Sequence, residues 1–239
     1  MKSPHTIAIM QPTFLPWLGY FGLIDAVDMF VILDDVQFDR RSWQQRNRIV
    51  SSGKELIMTV PVKKTGKVHQ LINNTEITED WDAQLRKLLM TLHHSYSKAP
   101  FYKEFINDLV AILDVQKYHL AKLNLHLINW ACEKFNIITP IILASDLPVE
   151  GAKANYIVNI CKSLNAHTYV SPPGSKVYIE QTDTFKQNNI NLEYFTFNHP
   201  VYSQRSESFI SHMSFVDALF NEGAKKTSDL IKNSYSTRP

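Results

Sequence analysis

Three groups of side chains in this sequence are of types that do chemistry. The first is basic: Arg40, Arg41, Arg46 and Arg48 fall within nine residues, with Trp43 among them and Lys63 further on. Guanidinium forks grip phosphate or carboxylate in pairs and a lysine adds a point charge. Arg41, Arg46, Arg48 and Lys63 are therefore candidates for holding an anionic ligand, the alternative being a solvated basic face. The second group is Gln11 with the adjacent pair Asp34-Asp35, each standing where an apolar run stops. The third is His199, with Tyr202 and Gln204 beside it. Pro200 holds His199 extended, and of the nine histidines it is the one best suited to act as an acid or base; a capped loop histidine is the competing reading. The loop Ser171-Pro172-Pro173-Gly174-Ser175-Lys176 adds hydroxyls and an amine that can meet a phosphate.

These groups need elements to hold them. The apolar runs Thr6 to Met10 and Met29 to Leu33 read as buried strands. Between them Leu18 to Val27 has apolar residues at helical spacing, giving a strand, a helix and a parallel strand. Gln11 and Asp34-Asp35 then lie at the carboxyl ends of strands, where ligands bind in such folds. The basic run and Glu55 to Val62 form a β-hairpin across Ser51-Ser52-Gly53. Lys64 to Thr78 is a polar loop. Three helices follow, from Asp80, Pro100 and about Gln116, as an insert or lid. The C-terminal half alternates again: a strand over Ile138 to Ala144, a helix over Lys153 to Leu164, and a strand over His167 to Val170. A helix over Tyr178 to Lys186, a strand over Ile190 to Phe197 and a last helix over Ser214 to Phe220 complete it. The whole is an α/β fold, a mostly parallel Rossmann-like sheet in one domain, with a basic hairpin at about 36–63 and a helical insert at about 80–136.

Composition narrows the class. At 239 residues and 44% hydrophobic, the chain can bury a sizeable core. Lys+Arg number 25 against 23 Asp+Glu, too even a balance for a DNA-binding protein. No apolar segment reaches the roughly 20 residues that span a bilayer and no signal-peptide pattern stands at the N-terminus, so a cytoplasmic location is expected. Cys132 and Cys161 lie on apolar helix faces without metal-ligand spacing and read as buried structural thiols. His93-His94, His119 and His126 have no partners at metal-binding spacing, and no metal is expected.

The ordered motifs M-Q-P-T-F-L-P-W-L-G-Y-F, D-x-F-V-x-L-D-D-V-Q-F, S-W-Q-x-R-N-R-I, T-V-P-V, S-P-P-G-S-K-V-Y and H-P-V-Y-S-Q with L-F-N-E-G resemble the WbqC-like family over about residues 7 to 223. At 211 to 214 the chain has S-H-M-S, where that pattern more usually carries a proline. The matching positions are Gln11, Pro12, Trp17, Gly19, Tyr20, Asp34, Asp35, Gln37, Phe38, Arg41, Trp43, Arg46, Asn47, Arg48, Ser171, Tyr178, His199, Pro200, Tyr202, Gln204, Asn221 and Glu222. The resemblance implies a place in bacterial O-antigen and polysaccharide biosynthesis, beside enzymes that make nucleotide-linked amino sugars. A weaker similarity is to nucleotidyltransferases with an H-x-G-H signature, here Trp17-Leu18-Gly19-Tyr20. Both histidines that stabilise charge on a transferred phosphoryl group are missing, so the similarity implies a nucleotide-binding core and not that reaction.

The reading preferred from these motifs is an enzyme that joins an acyl or aminoacyl group to the amine of a nucleotide-linked amino sugar. His199 or Asp34 would be the base, Gln11 with Tyr20 or Tyr202 the oxyanion donors, and Arg41, Arg46 and Arg48 the diphosphate clamp. The acyl donor would be a coenzyme-A thioester, a carrier-protein thioester or an aminoacyl-tRNA; no bound cofactor is implied. One alternative is a non-catalytic sugar-nucleotide binding or scaffold protein. Another is a metal-dependent hydrolase using Asp34 and Asp35 with a histidine. The oligomeric state is left open by the sequence.

Overall fold

The computed structural model describes residues 5–64, 69–115, 119–172, 174 and 183–238. In chain order its elements are β1 (Thr6–Met10), α1 (Leu18–Asp25), β2 (Met29–Ile32), β3 (Arg46–Ser51), β4 (Lys54–Thr59), α2 (Trp81–Tyr96), α3 (Tyr102–Val115), α4 (Leu120–Lys134) and β5 (Ile141–Leu143). A short 3-10 turn, Ala144–Asp146, leads to α5 (Lys153–Ser163), β6 (Thr168–Ser171), α6 (Thr184–Gln187), β7 (Asn191–Phe197), α7 (Phe215–Lys232) and β8 (Tyr235–Arg238).

Six strands form the central sheet in the order β5-β2-β1-β6-β7-β8, parallel except for β8. Strand side chains alternate between faces, and the two faces carry separate cores. Ile7, Ile9, Val31 and Tyr169 pack with α5 and with Phe185 of α6. Ala8, Phe30, Ile32, Val170 and Phe195 pack with α1 and α7. The stripes of α2, α3 and α4, among them Trp81, Leu92, Leu109 and Leu127, are buried in this second core together with Phe21 and Phe215. These three helices are thus part of the packing of that face and not a detached lid.

The parallel β1–α1–β2 unit and the hairpin are as the sequence suggests. The hairpin turn, Ser52-Gly53, has positive φ at both residues (50° and 73°), the backbone that a two-residue type I′ connection requires. Two boundaries differ, and a third is mostly outside the described residues. The strand expected from Ile138 is confined to Ile141–Leu143, and Ile138 is 95% exposed. The Tyr178 to Lys186 helix lies mostly outside the described residues, and what is described is Thr184–Gln187. The last helix does not stop at Asn221-Glu222-Gly223: Gly223 leaves helical geometry (φ 77°, ψ 168°), yet the chain turns helical again to Lys232. Strand β8 follows as an antiparallel edge, unannounced by its short polar sequence.

Gly223 is where the ring of Phe101 packs, and the Phe101 N–H donates to the Phe220 carbonyl at 3.0 Å. A Cβ at residue 223 would lie 2.9 Å from that ring, on a backbone that L-residues avoid. Gly223→Ala is therefore expected to cost about 1–3 kcal/mol, seen as a lower urea midpoint at unchanged slope.

Candidate functional site

Between β1 and α1 the segment from Pro12 to Pro16 is buried although it has no regular structure. Buried carbonyls need donors, and those of Gln11, Pro12, Phe14 and Pro16 receive them from other elements. The Tyr20 hydroxyl donates to the Gln11 carbonyl (3.1 Å), Asn124 Nδ2 of α4 to Pro12 (3.2 Å), Asn47 Nδ2 of β3 to Phe14 (3.0 Å) and the Phe215 N–H of α7 to Pro16 (2.7 Å). In return the Phe14 N–H donates to the Trp43 carbonyl at 3.0 Å. Gln44 Nε2 donates to Gln11 Oε1 at 2.8 Å, and its own carbonyl accepts from Asn124 at 2.7 Å. Loop, hairpin and insert are laced together by polar side chains, among them Gln11, Tyr20 and Asn47, which the sequence presented as chemical, and Gln44 and Asn124, which it did not single out.

A cleft opens above this lacing at the carboxyl ends of β1, β2, β6 and β7. In the strand order the chain moves outward from β1 through β2 to β5 and then crosses to β6 on the other side of β1, so the cleft sits where ligands bind in open α/β sheets. Its main lobe has a volume of about 620 Å³ and is lined by Gln11, Leu33, Ser42, Gln44, Ile157, Tyr169, Pro172, Gly174 and Phe197, among others. A side lobe of about 200 Å³ reaches under the hairpin to Tyr20, Asn47 and Arg48. Met10, Thr13, Trp17, Trp43 and His212 line both lobes and form the neck between them.

The basic hairpin contributes an aromatic and cationic edge. Trp43, 46% exposed, is flanked by the guanidinium carbons of Arg46 at 5.7 Å and Arg48 at 5.2 Å from its ring centre. Arg48 is also paired with Glu55 (3.0 Å) and donates to the His212 carbonyl (3.2 Å). Arg46 has no carboxylate partner among the described residues, and its buried Nε is unpaired. Arg41 is exposed in the preceding turn, with φ 62°. Lys63 is elsewhere, held by Glu76 at 3.0 Å and Glu79 at 3.2 Å, which raise its pKa.

Several residues expected at the cleft are engaged in the framework. The Asp34 carboxylate, 2% exposed, accepts the Ser145 N–H at 3.1 Å and its hydroxyl at 2.8 Å, tying the end of β2 to the turn after β5. Asp35 accepts from the Tyr156 hydroxyl of α5. The two carboxylates thus serve different partners, and among the described residues no three His, Cys, Asp or Glu side chains are grouped as metal ligands. Phe38 is buried in the core, and so are Cys132 and Cys161, whose thiols burial pushes up to about 12. Ser171 ends β6 fully buried; Lys176 and Tyr178 lie outside the described residues. Gly19 has a specific reason: a Cβ there would meet the indole of Trp17 at 2.1 Å, so only glycine lets that ring lie across the start of α1.

The third group forms a buried polar knot around Asp217, a residue the sequence did not single out. Asp217 is fully buried in the first turn of α7 and accepts from Tyr96 (2.7 Å), Tyr202 (2.9 Å) and Gln204 (2.8 Å), while Asn221 Nδ2 donates to its carbonyl at 2.8 Å. Burial raises its pKa, and the three donors oppose that rise. Glu222, paired with Lys226 at 2.6 Å, fixes the Ser203 N–H at 2.7 Å. Tyr202 therefore orients the 198–212 segment and does not reach the cleft.

His199 is similarly committed. Its Nδ1–H donates to the Pro200 carbonyl (3.0 Å) and its Nε2 accepts the His212 N–H (3.0 Å), which fixes one neutral tautomer. Its ring stacks on Trp17, centres 5.9 Å apart and planes 12° from parallel. Neither nitrogen is left for a substrate. The histidine that lines the cleft is His212, missed because it lies in the featureless S-H-M-S stretch. Its only signal was its place two residues before Ser214, the N-cap of α7.

The WbqC-like protein family matches residues 11–229. The chain belongs to this family. Among its relatives is the uncharacterized protein Rv1507c of Mycobacterium tuberculosis, 34% identical over 222 residues, 92% of this chain and 94% of that protein. No solved structure matches the chain. No helix among the described residues is long and apolar enough to cross a membrane. In this WbqC-like protein the motif positions divide by role: Asp34, Gln204 and Asn221 fasten segments away from the cleft, Tyr20 and Asn47 fasten segments and line its side lobe, and Gln11, Trp17 and Trp43 line its main lobe.

Burial, and then the neighbouring His212, hold the His199 pKa below its ordinary value, against the Pro200 hydrogen bond. Below about pH 6.5 the unfolded chain takes up a proton that the folded ring resists. Stability is accordingly expected to fall as pH drops from that value through the folded pKa. In His199→Gln the slope of unfolding free energy against pH over that window becomes shallower, without vanishing, because His212 is displaced in the same direction.

Proposed function

We propose that the cleft receives a nucleotide-linked amino sugar and that the protein joins an acyl or aminoacyl group to the sugar amine, in O-antigen or polysaccharide biosynthesis. The observation that carries this reading is the two-lobed cleft at the crossover of the sheet, lined by Trp43 and Arg48, with Arg46 against the Trp43 ring just outside it. Its main lobe is in the volume range of small-ligand sites. Arg46, cationic and unneutralised among the described residues, supplies the charge that a diphosphate needs, and the half-exposed Trp43 an aromatic surface beside it. Membership of the WbqC-like family supports the pathway, through the genes among which such proteins occur.

A second reading, a sugar-nucleotide binding protein without turnover, is favoured by one specific feature: Asp34, His199 and Tyr202 all spend their hydrogen-bonding capacity on the framework. Incubation with a dTDP-linked 4-amino sugar and thioester or aminoacyl-tRNA donors, followed by product mass, separates the two. An added acyl mass supports transfer; tight binding with no product from any donor supports the binding protein.

The grip is testable apart from chemistry. Arg46→Ala is expected to weaken sugar-nucleotide binding by about 10- to 100-fold, the loss of one charge-assisted contact of roughly 1.5–3 kcal/mol. Arg86→Ala, an exposed arginine on α2, leaves the affinity unchanged. Calorimetric titration reads both.

A further inference from the structure

The side lobe and the neck assign work that the main lobe does not. Behind the neck, most of the polar groups that line the side lobe are already used, the Tyr20 hydroxyl on the Gln11 carbonyl, the Asn47 amide on Phe14, and the two terminal Arg48 nitrogens on Glu55 and His212, while the buried Arg48 Nε has no partner among the described residues. What remains for an occupant is a mainly apolar hole of about 200 Å³. At a water's share of about 30 Å³ per heavy atom, that is room for roughly six or seven non-hydrogen atoms, a short acyl group and not a fatty chain.

His212 stands at the neck in a fixed pose. It adopts φ 61°. Its carbonyl is held by Arg48 at 3.2 Å, its N–H by His199 Nε2 at 3.0 Å, and its ring by Trp17 and His199 at 4.9 Å each. Nδ1 pairs with Ser211 Oγ at 2.9 Å, and Nε2 has no partner among the described residues. Arg48 on β3 and His199 on the segment after β7 are the charged and titratable groups against the ring. Burial and the Arg48 cation both lower its pKa, keeping the ring neutral and able to accept a proton near pH 7.

We propose that the side lobe seats the acyl group of a short-chain acyl thioester, and that His212, which lines both lobes, is through its unpaired Nε2 the catalytic base and acid of transfer. This rests on the amide-forming reading above. The neutral sugar amine attacks the thioester carbonyl and forms the C–N bond. His212 takes the proton from the attacking nitrogen and delivers it to the departing sulfur as the C–S bond breaks, leaving an amide and a free thiol. His199 acts as a positioning residue by holding the His212 N–H.

The test uses the full chain, a dTDP-linked 4-amino sugar, and acetyl, butyryl, octanoyl and palmitoyl groups carried on coenzyme A or on N-acetylcysteamine. The second carrier shows whether the nucleotide part of the donor is needed. His212→Asn is the informative variant, because asparagine tolerates positive φ but is not a base. The expected result is turnover with acetyl and butyryl donors, falling at octanoyl. His212→Asn lowers kcat by about 10²- to 10⁴-fold and removes the ascending limb of the pH profile, with sugar-nucleotide Kd kept within about twofold. Near wild-type kcat in His212→Asn, or palmitoyl transfer as fast as acetyl, overturns the proposal while the amide-forming reading stands. Binding of the sugar nucleotide with no turnover from any thioester, or turnover with aminoacyl-tRNA alone, overturns the thioester assignment. Failure of the wild-type protein to bind the sugar nucleotide overturns the reading of the cleft itself.

Discussion

The structure depends on a buried loop that cannot satisfy itself. From Gln11 to Pro16 the chain contains two prolines and a left-handed Leu15 (φ 42°), and it runs through the interior with four carbonyls that are paired by donors from other elements. An unpaired buried carbonyl costs about 1–3 kcal/mol, so four of them would consume much of the stability of a domain this size. The donors come from α1, β3, α4 and α7. Satisfying the loop therefore fixes the hairpin, the helical insert and the C-terminal helix relative to β1, and the cleft is the space those elements leave above it.

The same constraint explains why so many polar motif residues turn out to be fasteners. In sequence, a carboxylate at a strand end and a carboxylate that pins a turn look alike; Asp34 is the latter, because Ser145 lies opposite it with two donors. A tyrosine beside a histidine likewise suggests proton transfer, but Tyr202 shares Asp217 with Tyr96 and Gln204 in a closed knot that orders the segment leading into α7. That knot places the 212–214 segment beside β3, where the Ser214 N–H donates to the Arg48 carbonyl at 2.7 Å. His212 is presented to the cleft by structure built for packing and hydrogen bonding.

The fold was legible where periodicity decided it. β1 and β2 show unbroken apolar runs and α2, α3 and α4 show clear stripes, so their existence and order follow from the residues. β8 was not legible, since Y-S-T-R has neither alternation nor length and becomes a strand only because the edge of β7 is available. The continuation of α7 past Gly223 was hidden for a related reason: the glycine that reads as a stop is a contact point for Phe101. At the site, the hairpin arginines and Trp43 could be found from composition. Which histidine faces the cleft could not, because that choice is made by contacts among three segments far apart in sequence.

In the proposed complex a single cleft receives the nucleotide-linked sugar with its amine turned toward the neck. A crystal structure of the protein with a dTDP-linked 4-amino sugar tests it most directly. Density is expected in the main lobe, with the diphosphate toward Arg46 and the amine nitrogen within hydrogen-bond reach of His212 Nε2, about 3 Å. Density in the separate groove between α2 and α3, lined by Met90, His93 and Tyr102, or a sugar amine turned away from the neck, would contradict it.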